Sequence, residues 1–142
     1  MSCGFRQLTN SPCREGYVSW KLNCYRVVER PETWERAQQA CAAQGGNLAS
    51  IDMSYDQAFV SGVVLQGRGD AWIGLRRKSA SYTWTDGWPV LFTQWGPGEP
   101  SFRPGEGCVS MHSSLYHGTW NDTRCDDAKP YVCKISSGTP PL

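Results

Sequence analysis

The chain has 142 residues, the size of one domain with a single hydrophobic core. Its 14 Lys and Arg residues are balanced by 13 Asp and Glu residues, and both kinds are spread along the chain, which does not indicate a nucleic-acid partner. Mean hydropathy is −0.49, and no apolar run approaches the roughly 18 residues that a membrane-spanning helix needs.

The seven cysteines are the strongest compositional signal. No two of them form a CxxC pair, and His112 and His117 are the only histidines, so a zinc ribbon is not favoured. Disulfide bonds formed in an oxidising, extracellular compartment are the better interpretation. The odd count leaves one thiol that is free or pairs outside this chain. Cys3 is the candidate, unless it only marks the end of an excised piece.

The N-terminal part predicts a linker followed by a β-hairpin. Residues 1–12 are polar and show no periodicity. Aromatic and β-branched residues dominate from Tyr17 to Val28, and this composition predicts two short strands. Cys13 and Cys24 are close enough in the sequence to staple this hairpin.

Two helices are predicted next. Thr33 is a suitable N-cap for the first helix, and Gly45–Gly46 end it. Ser54, with Gln57 three residues later, forms the capping-box pattern that begins the second helix. The positions expected to face the core are Trp34, Ala37, Ala40 and Cys41 in the first helix, and Tyr55, Phe59, Val60, Val63 and Val64 in the second.

Strands and a long loop follow the helices. Residues 72–75 and 82–84 read as buried strands, and residues 108–111 and 131–133 as further short ones. Residues 93–107 contain four Gly and three Pro, too many for a regular element. Residues 136–142 read as a second linker. Helices followed by strands indicate an α+β fold rather than alternating βαβ units.

Five short motifs stand in a characteristic order: Trp72-Ile73-Gly74-Leu75, Glu99-Pro100-Ser101, Glu106-Gly107-Cys108, Trp120-Asn121-Asp122 and Tyr131-Val132-Cys133. Together with the positions of six of the cysteines, this set resembles the C-type lectin-like domain over residues 13–135, in its long form with an N-terminal hairpin. The resemblance implies two helices packed on short antiparallel sheets, a long irregular loop and three disulfides. Residues 1–12 and 136–142 then remain as linkers, and these flanks are similar to those of one unit of an endocytic receptor of the mannose receptor family.

The resemblance also implies the disulfide pairing, which the cysteines alone leave open among many combinations. The implied bonds are Cys13–Cys24, Cys41–Cys133 and Cys108–Cys125.

A single calcium ion on the long loop is implied as well. Carried across position by position, its ligands are Glu99, Ser101, Glu106, Asn121 and Asp122. Calcium takes roughly six to eight oxygen ligands, and two sugar hydroxyls complete the shell in sugar-binding members. The three carboxylates would repel one another without a cation, which favours the ion.

The sugar contacts implied by the resemblance are Glu99, Ser101, Glu106 and Asn121. Glu before the proline goes with mannose, fucose or N-acetylglucosamine in this family, and the X-Pro bond is the one at which a cis peptide is cheap. Ser101 departs from the family pattern, in which Asn or Asp follows the proline. Its single oxygen on a shorter arm weakens both the calcium site and the sugar site. The family's accessory calcium site is not predicted, because Arg76, Arg77 and Lys78 stand where acids would be needed.

The first hypothesis is therefore a calcium-dependent module that binds a glycan or glycoprotein. The alternative is a calcium-independent protein-binding module, or a scaffold domain of a tandem receptor with a degenerate sugar site. Its surface would use Trp88, Phe102, Arg103 and Tyr116. Asn121 also begins an N-x-[ST] glycosylation sequon, but the role as a calcium ligand is the preferred interpretation.

No enzyme is predicted. Ser110, His112 and Asp122 have the residue types of a triad, but no nucleophile-elbow motif or oxyanion loop accompanies them. The tripeptide Arg68-Gly69-Asp70 is of the integrin-binding type, and such tripeptides also occur by chance.

Overall fold

The computed structural model describes residues 13–113 and 116–136, so Cys3 and most of the two predicted linkers lie outside the described residues. In chain order its helices are α1 (Trp34–Ala43) and α2 (Ser54–Phe59), and α2 continues as a π-helical turn over Val60–Val64. Its strands are β1 (Val18–Trp20), β2 (Asn23–Glu32), β3 (Asn47–Leu48), β4 (Ala71–Lys78), β5 (Ser81–Trp84), β6 (Cys108–Met111), β7 (Trp120–Thr123) and β8 (Lys129–Ser136). The predicted α+β fold is confirmed.

The N-terminal hairpin is confirmed. β1 and β2 pair antiparallel, with Val18 opposite Tyr25 and Trp20 opposite Asn23. The Cys13–Cys24 disulfide joins the segment before β1 to β2, with 5.5 Å between the two Cα atoms. The hairpin adds to the main sheet because β2 also pairs antiparallel with β8.

Helix α1 begins and ends as its sequence indicates. The Thr33 hydroxyl accepts a hydrogen bond from the Arg36 N–H at 3.3 Å, which is the expected N-cap contact. The buried face consists of Trp34, Ala37 and Cys41. The helix ends at Ala43, shortly before Gly45, whose φ of +89° suits a residue without a Cβ.

The predicted start and inner face of α2 are wrong in part. Ser54 is the first helical residue and Met53 is the N-cap; the Asp56 carboxylate accepts from the Met53 N–H at 3.1 Å. Tyr55 and Val63 are 68% and 49% exposed rather than buried.

Polar side chains take the inner face of α2 because buried indole groups need acceptors. Trp20 Nε1 donates to Asp56 at 2.9 Å, and Trp120 Nε1 donates to Gln57 at 2.9 Å. Each such bond satisfies a donor that would otherwise be costly to bury. The π-helical turn then carries Val60 and Val64 into the core.

β4 is central to the sheet. It pairs antiparallel with β5 and β6, and parallel with β8 at Trp72 and Tyr131, a pairing that the expected antiparallel sheets did not include. Within the described residues the strand order is β1-β2-β8-β4-β6-β7, with β3 on β8 and β5 on β4. Gly74 lets β3 approach β4, because a Cβ at this position would collide with the Leu48 carbonyl.

The disulfides implied by the resemblance are confirmed. Cys41–Cys133 joins α1 to β8, and Cys108–Cys125 joins β6 to the segment after β7. In the chain-entropy model these bonds stabilise the fold by roughly 4–5 and about 3 kcal/mol. In the part of the chain that the structure describes, no helix has the length and apolar character of a membrane span.

Candidate functional site

The long loop between β5 and β6 is fixed against β7. The Trp120 N–H donates to the Gln94 carbonyl at 2.8 Å, and the Gly96 N–H donates to the Trp120 carbonyl at 2.9 Å. The rings of Trp95 and Trp120 meet edge to face with centroids 5.9 Å apart. These contacts bring the tip of the loop next to Asp122, which belongs to strand β7.

The peptide bond between Glu99 and Pro100 is cis, as expected from the sequence. The Glu99 N–H donates to the Gly96 carbonyl at 3.0 Å, which closes a turn just before the proline. After the proline, Ser101 and Phe102 direct their backbone N–H groups at the side chain of Asp122.

The Asp122 carboxylate accepts four hydrogen bonds. Its Oδ1 accepts from the N–H and the hydroxyl of Ser101, at 2.9 and 2.8 Å. Its Oδ2 accepts from the Phe102 N–H at 2.9 Å and from the Tyr82 hydroxyl at 2.8 Å. Two carboxylate oxygens offer about four lone-pair positions, so this group has no acceptor position left. We call these four residues, Tyr82, Ser101, Phe102 and Asp122, the carboxylate hub.

The hub favours the ionised form of Asp122, which is only 3% exposed. Burial by itself would raise the pKa of this carboxyl group. The Ser101 N–H, the Tyr82 hydroxyl and the Phe102 N–H outweigh burial and lower the pKa from 3.8 to about 2. The pKa of Tyr82 is raised, first by burial and then by its hydrogen bond to the Asp122 carboxylate.

Glu99 lies beside the hub, and its pKa is shifted in the direction opposite to that of Asp122. Its Oε1 is buried and has no hydrogen-bond partner among the described residues. Burial raises the pKa of Glu99, and the nearby carboxylate of Asp122 raises it further. The surroundings of Glu99 thus make its ionisation less favourable than that of a carboxyl group in water.

Ser101 also lies close to Glu106, 3.3 Å from hydroxyl to Oε1. A hydroxyl has one proton, and the shorter 2.8 Å contact assigns it to Asp122. The structure therefore brings together four of the five predicted ligands, namely Glu99, Ser101, Glu106 and Asp122.

Asn121, the fifth predicted ligand, lies elsewhere. Its side-chain amide contacts the Ser110 hydroxyl at 2.9 Å, and Ser110 donates to Asp70 at 2.8 Å. Asn121 and Asp122 are neighbours on strand β7, and successive side chains of a strand point to opposite faces. This alternation is the sequence signal that separates the two residues.

Two members of the hub are absent from the predicted site. Tyr82 belongs to β5 and contributes its hydroxyl from across the sheet, and Phe102 contributes only a backbone N–H. The Phe102 ring packs on Tyr82, with centroids 5.9 Å apart. No local pattern in the sequence pairs Tyr82 with a residue 40 positions away, so only the fold reveals this contact.

The arrangement does not fit a calcium ion. Calcium binds oxygen lone pairs, and the lone pairs of Asp122 are taken by two N–H and two O–H donors. Ser101 presents a hydroxyl proton to Asp122, and Asn121 contacts Ser110. Within residues 13–113 and 116–136, the acidic, histidine and cysteine side chains form no group of three that is spaced to hold one metal ion.

A cleft of about 350 Å³ opens next to Glu99. It is lined by Gly96, Pro97, Glu99, His112, Tyr116, His117 and Thr119. Tyr116 is 65% exposed, and its ring lies 5.7 Å from that of His112. Among the residues predicted for a protein-binding surface, Phe102 is 49% exposed and Arg103 is exposed as well, whereas Trp88 is half-buried against the core.

The integrin-type tripeptide is engaged in internal contacts. Asp70 pairs with Lys129 at 3.0 Å, and Arg68 pairs with Glu29 at 2.8 Å. A Cβ at Gly69 would collide with the backbone of Ser113. The three residues of the tripeptide thus make contacts within the domain.

Comparisons with known proteins agree with this geometry. The family model for the lectin C-type domain matches residues 30–135. C-type mannose receptor 2 of Homo sapiens is 32% identical over 126 residues, which are 86% of this chain and 8% of the receptor. The chain thus spans a small part of the length of this relative.

Solved structures similar to this chain include a calcium-independent protein and a carbohydrate-recognition domain. A calcium-independent type II antifreeze protein superposes with a TM-score of 0.81 at 27% identity, over 87% of this chain and 94% of that chain. The C-type carbohydrate-recognition domain of cow CD23, solved in the presence of a GlcNAc2Man3 oligosaccharide, superposes with a TM-score of 0.78 at 33% identity, over 89% of this chain and 97% of that chain.

Proposed function

The chain belongs to the lectin C-type domain family, a family of non-enzymatic ligand-binding modules, and we propose that it binds its ligand without calcium. The ligand is a protein or glycoprotein, and the module is one unit of an extracellular receptor chain. In this proposal residues 13–135 are the binding unit, flanked by linkers at 1–12 and 136–142. The similarity to C-type mannose receptor 2 and the three disulfides support the extracellular receptor context.

The saturated carboxylate of Asp122 is the observation that carries the proposal. A cation bound to the long loop would hold Ser101, Phe102 and β7 together by attracting their oxygens. Here Asp122 holds the same segments by accepting hydrogen bonds from them. The loop is thereby ordered by a charged group of the chain itself, and calcium would have to displace at least one of these hydrogen bonds to bind the carboxylate.

The ligand surface lies next to the carboxylate hub. Exposed aromatic and cationic groups such as Phe102, Arg103 and Tyr116 are enriched in protein-binding surfaces. The 350 Å³ cleft beside Glu99 adds a concave element to the same face. The calcium-independent antifreeze protein supports the view that this fold presents such a surface without the ion.

A second candidate is calcium-dependent recognition of mannose, fucose or N-acetylglucosamine. The buried Oε1 of Glu99 favours it, because this atom has no hydrogen-bond partner in the described part of the chain and a cation would supply the missing contact. One ion would bind Glu99, Ser101, Glu106, Asn121 and Asp122. It would require the hub to open and the Asn121 amide to leave Ser110.

Thermal unfolding in calcium and in chelator separates the two candidates. A ligand that binds only the folded state raises the melting temperature by mass action. We expect equal melting temperatures in about 5 mM calcium and in EDTA, since extracellular calcium sites saturate at roughly millimolar ion. A rise in calcium that Glu106→Ala abolishes would support the second candidate instead.

A further inference from the structure

A second cleft, of about 380 Å³, lies at the end of strand β4. Its lining residues are Arg76, Arg77, Lys78 and Thr83. Three of the four are cations and none is an acid, although the whole chain has a net charge of only +1. None of the four lining residues belongs to the carboxylate hub. We call this second cleft the basic cleft.

The three cations of the basic cleft differ in how they are held. Arg77 donates to the Arg103 carbonyl at 3.3 Å and lies 5.7 Å from the Phe102 ring, so it is oriented without being neutralised. Lys78 has no ion-pair partner anywhere in residues 13–113 and 116–136.

Arg76 is the one member with an acidic partner. It pairs with Glu35 at 3.1 Å, but both side chains are at least half exposed. Exposed pairs of this kind contribute about 0–1 kcal/mol, so an anionic ligand can replace Glu35 at little cost. Arg76 and Lys78 are therefore both able to contact a bound anion.

The β-hairpin of β4 and β5 places two of these charges, Arg76 and Lys78, in a row on one face, whereas Arg77 between them belongs to the other face of the strand. Arg76 is opposite Thr83 and Lys78 is opposite Ser81. Side chains two residues apart on a strand share a face and stand about 7 Å from each other. The Thr83 hydroxyl adds a neutral donor beside Arg76. Such a row matches a linear chain with repeated anionic groups better than one isolated anion.

We propose that the basic cleft binds a sulfated polysaccharide. Guanidinium groups recognise the oxygens of sulfate and phosphate groups through paired hydrogen bonds, and a lysine adds a point charge. The three disulfides indicate an oxidising compartment outside the cytosol, which makes a sulfated polysaccharide rather than a nucleic acid the polyanion encountered. The contacts Arg76, Lys78 and Thr83 are distinct from the side chains of the carboxylate hub, and Arg77 links the two sites by packing on Phe102.

Binding of the domain to immobilised heparin tests the proposal. The variant Arg76→Gln/Lys78→Glu removes two of the cations and leaves Arg77, which supports Phe102 and the long loop. The control Arg26→Gln/Arg30→Glu makes the same change in net charge on exposed positions of β2. We expect the cleft variant to bind about tenfold or more weakly and the control to stay within about twofold of the unchanged protein.

Equal losses in the cleft variant and the control would overturn the proposal, because they would show an effect of net charge alone. Unchanged binding in the cleft variant would also overturn it. Lys78→Glu alone provides a second test should the double variant fail to fold, because Lys78 makes no ion pair in the described chain. It should weaken binding severalfold.

Two further probes test whether the ligand chemistry is sulfate on a polymer. Chemically desulfated heparin keeps its carboxylates, and we expect it to bind at least about tenfold more weakly than heparin. Inorganic sulfate at the ionic strength of a sodium chloride control should displace heparin no better than chloride does. Equal binding of desulfated heparin, or displacement specific to free sulfate, would contradict the assignment of a sulfated polysaccharide.

Discussion

The Tyr82 hydroxyl donates to Oδ2 of Asp122 at 2.8 Å, across 40 positions of the sequence. Tyr82 is on β5, on one side of the sheet's central strand β4, and Asp122 is on β7, two strands away on the other side. The long loop lies between them and donates two backbone N–H groups to the same carboxylate. One buried carboxylate thus connects two strands and the long loop.

Removing the Tyr82 hydroxyl should destabilise the domain moderately. Tyr82→Phe keeps the ring contacts with Trp95 and Phe102 and deletes one hydrogen bond to a charged acceptor. We expect the free energy of unfolding to fall by about 1–2 kcal/mol, measured by chemical denaturation. Tyr116→Phe is the matched control, since Tyr116 is exposed, and it should change stability by less than about 0.5 kcal/mol. Equal effects of the two variants would contradict a stabilising hydrogen bond between Tyr82 and Asp122.

Removing the charge of Asp122 should have a larger effect. Asp122→Asn keeps the size of the side chain but replaces one acceptor oxygen by an NH₂ group, which faces donors of the loop. We expect a loss of about 2–4 kcal/mol in unfolding free energy, because at least one buried N–H loses its partner. A loss no larger than that of Tyr82→Phe would show that the other bonds to Asp122 contribute little.

The hub also predicts an acid-dependent part of the stability. The pKa of Asp122 is lowered from 3.8 to about 2 in the folded protein. Its contribution is therefore complete above the ordinary value and is lost as the pH falls from about 4 to about 2, a total of about 2 kcal/mol. The stability difference between the unchanged protein and Asp122→Asn should shrink over this pH interval. A difference that stays constant from pH 5 to pH 2 would contradict the lowered pKa.

Glu99 should show the opposite pH dependence. Its pKa is raised by burial and by Asp122, so its neutral form is favoured more in the folded protein than in water. That favourable contribution is complete below the ordinary pKa and is lost as the pH rises through the raised value. Glu99→Gln should therefore be as stable as the unchanged protein, or more stable, at pH 7.5, and should lose this advantage below about pH 4. Lower stability of Glu99→Gln at pH 7.5 in EDTA would contradict this assignment.

The sequence predicts those parts of the fold that local chemistry decides. Thr33 caps α1 because its hydroxyl reaches an N–H three residues ahead, and the aromatic and β-branched run from Tyr17 to Val28 forms a hairpin. The cis bond before Pro100 follows from the special chemistry of X-Pro bonds, together with the family pattern. The disulfide pairing came from the resemblance to a family, since the cysteines alone left it open.

Contacts between distant elements decide the features that the sequence did not predict. Asp56 and Gln57 displace Tyr55 and Val63 from the inner face of α2, because two indole N–H groups on other elements need acceptors. The family resemblance implied one shared site for Asn121 and Asp122, yet strand geometry turns the two side chains to opposite faces. The role of Tyr82 depends on its place in the sheet.

Calorimetric titration of calcium into the purified domain tests the central claim most directly. The claim is that the Asp122 carboxylate, satisfied by Tyr82, Ser101 and Phe102, replaces the ion on the long loop. We predict no saturable heat up to about 10 mM calcium, a concentration above the dissociation constants of roughly 10⁻⁴–10⁻³ M that are typical of extracellular calcium modules. A saturable one-to-one isotherm that disappears in Glu106→Ala would contradict the claim.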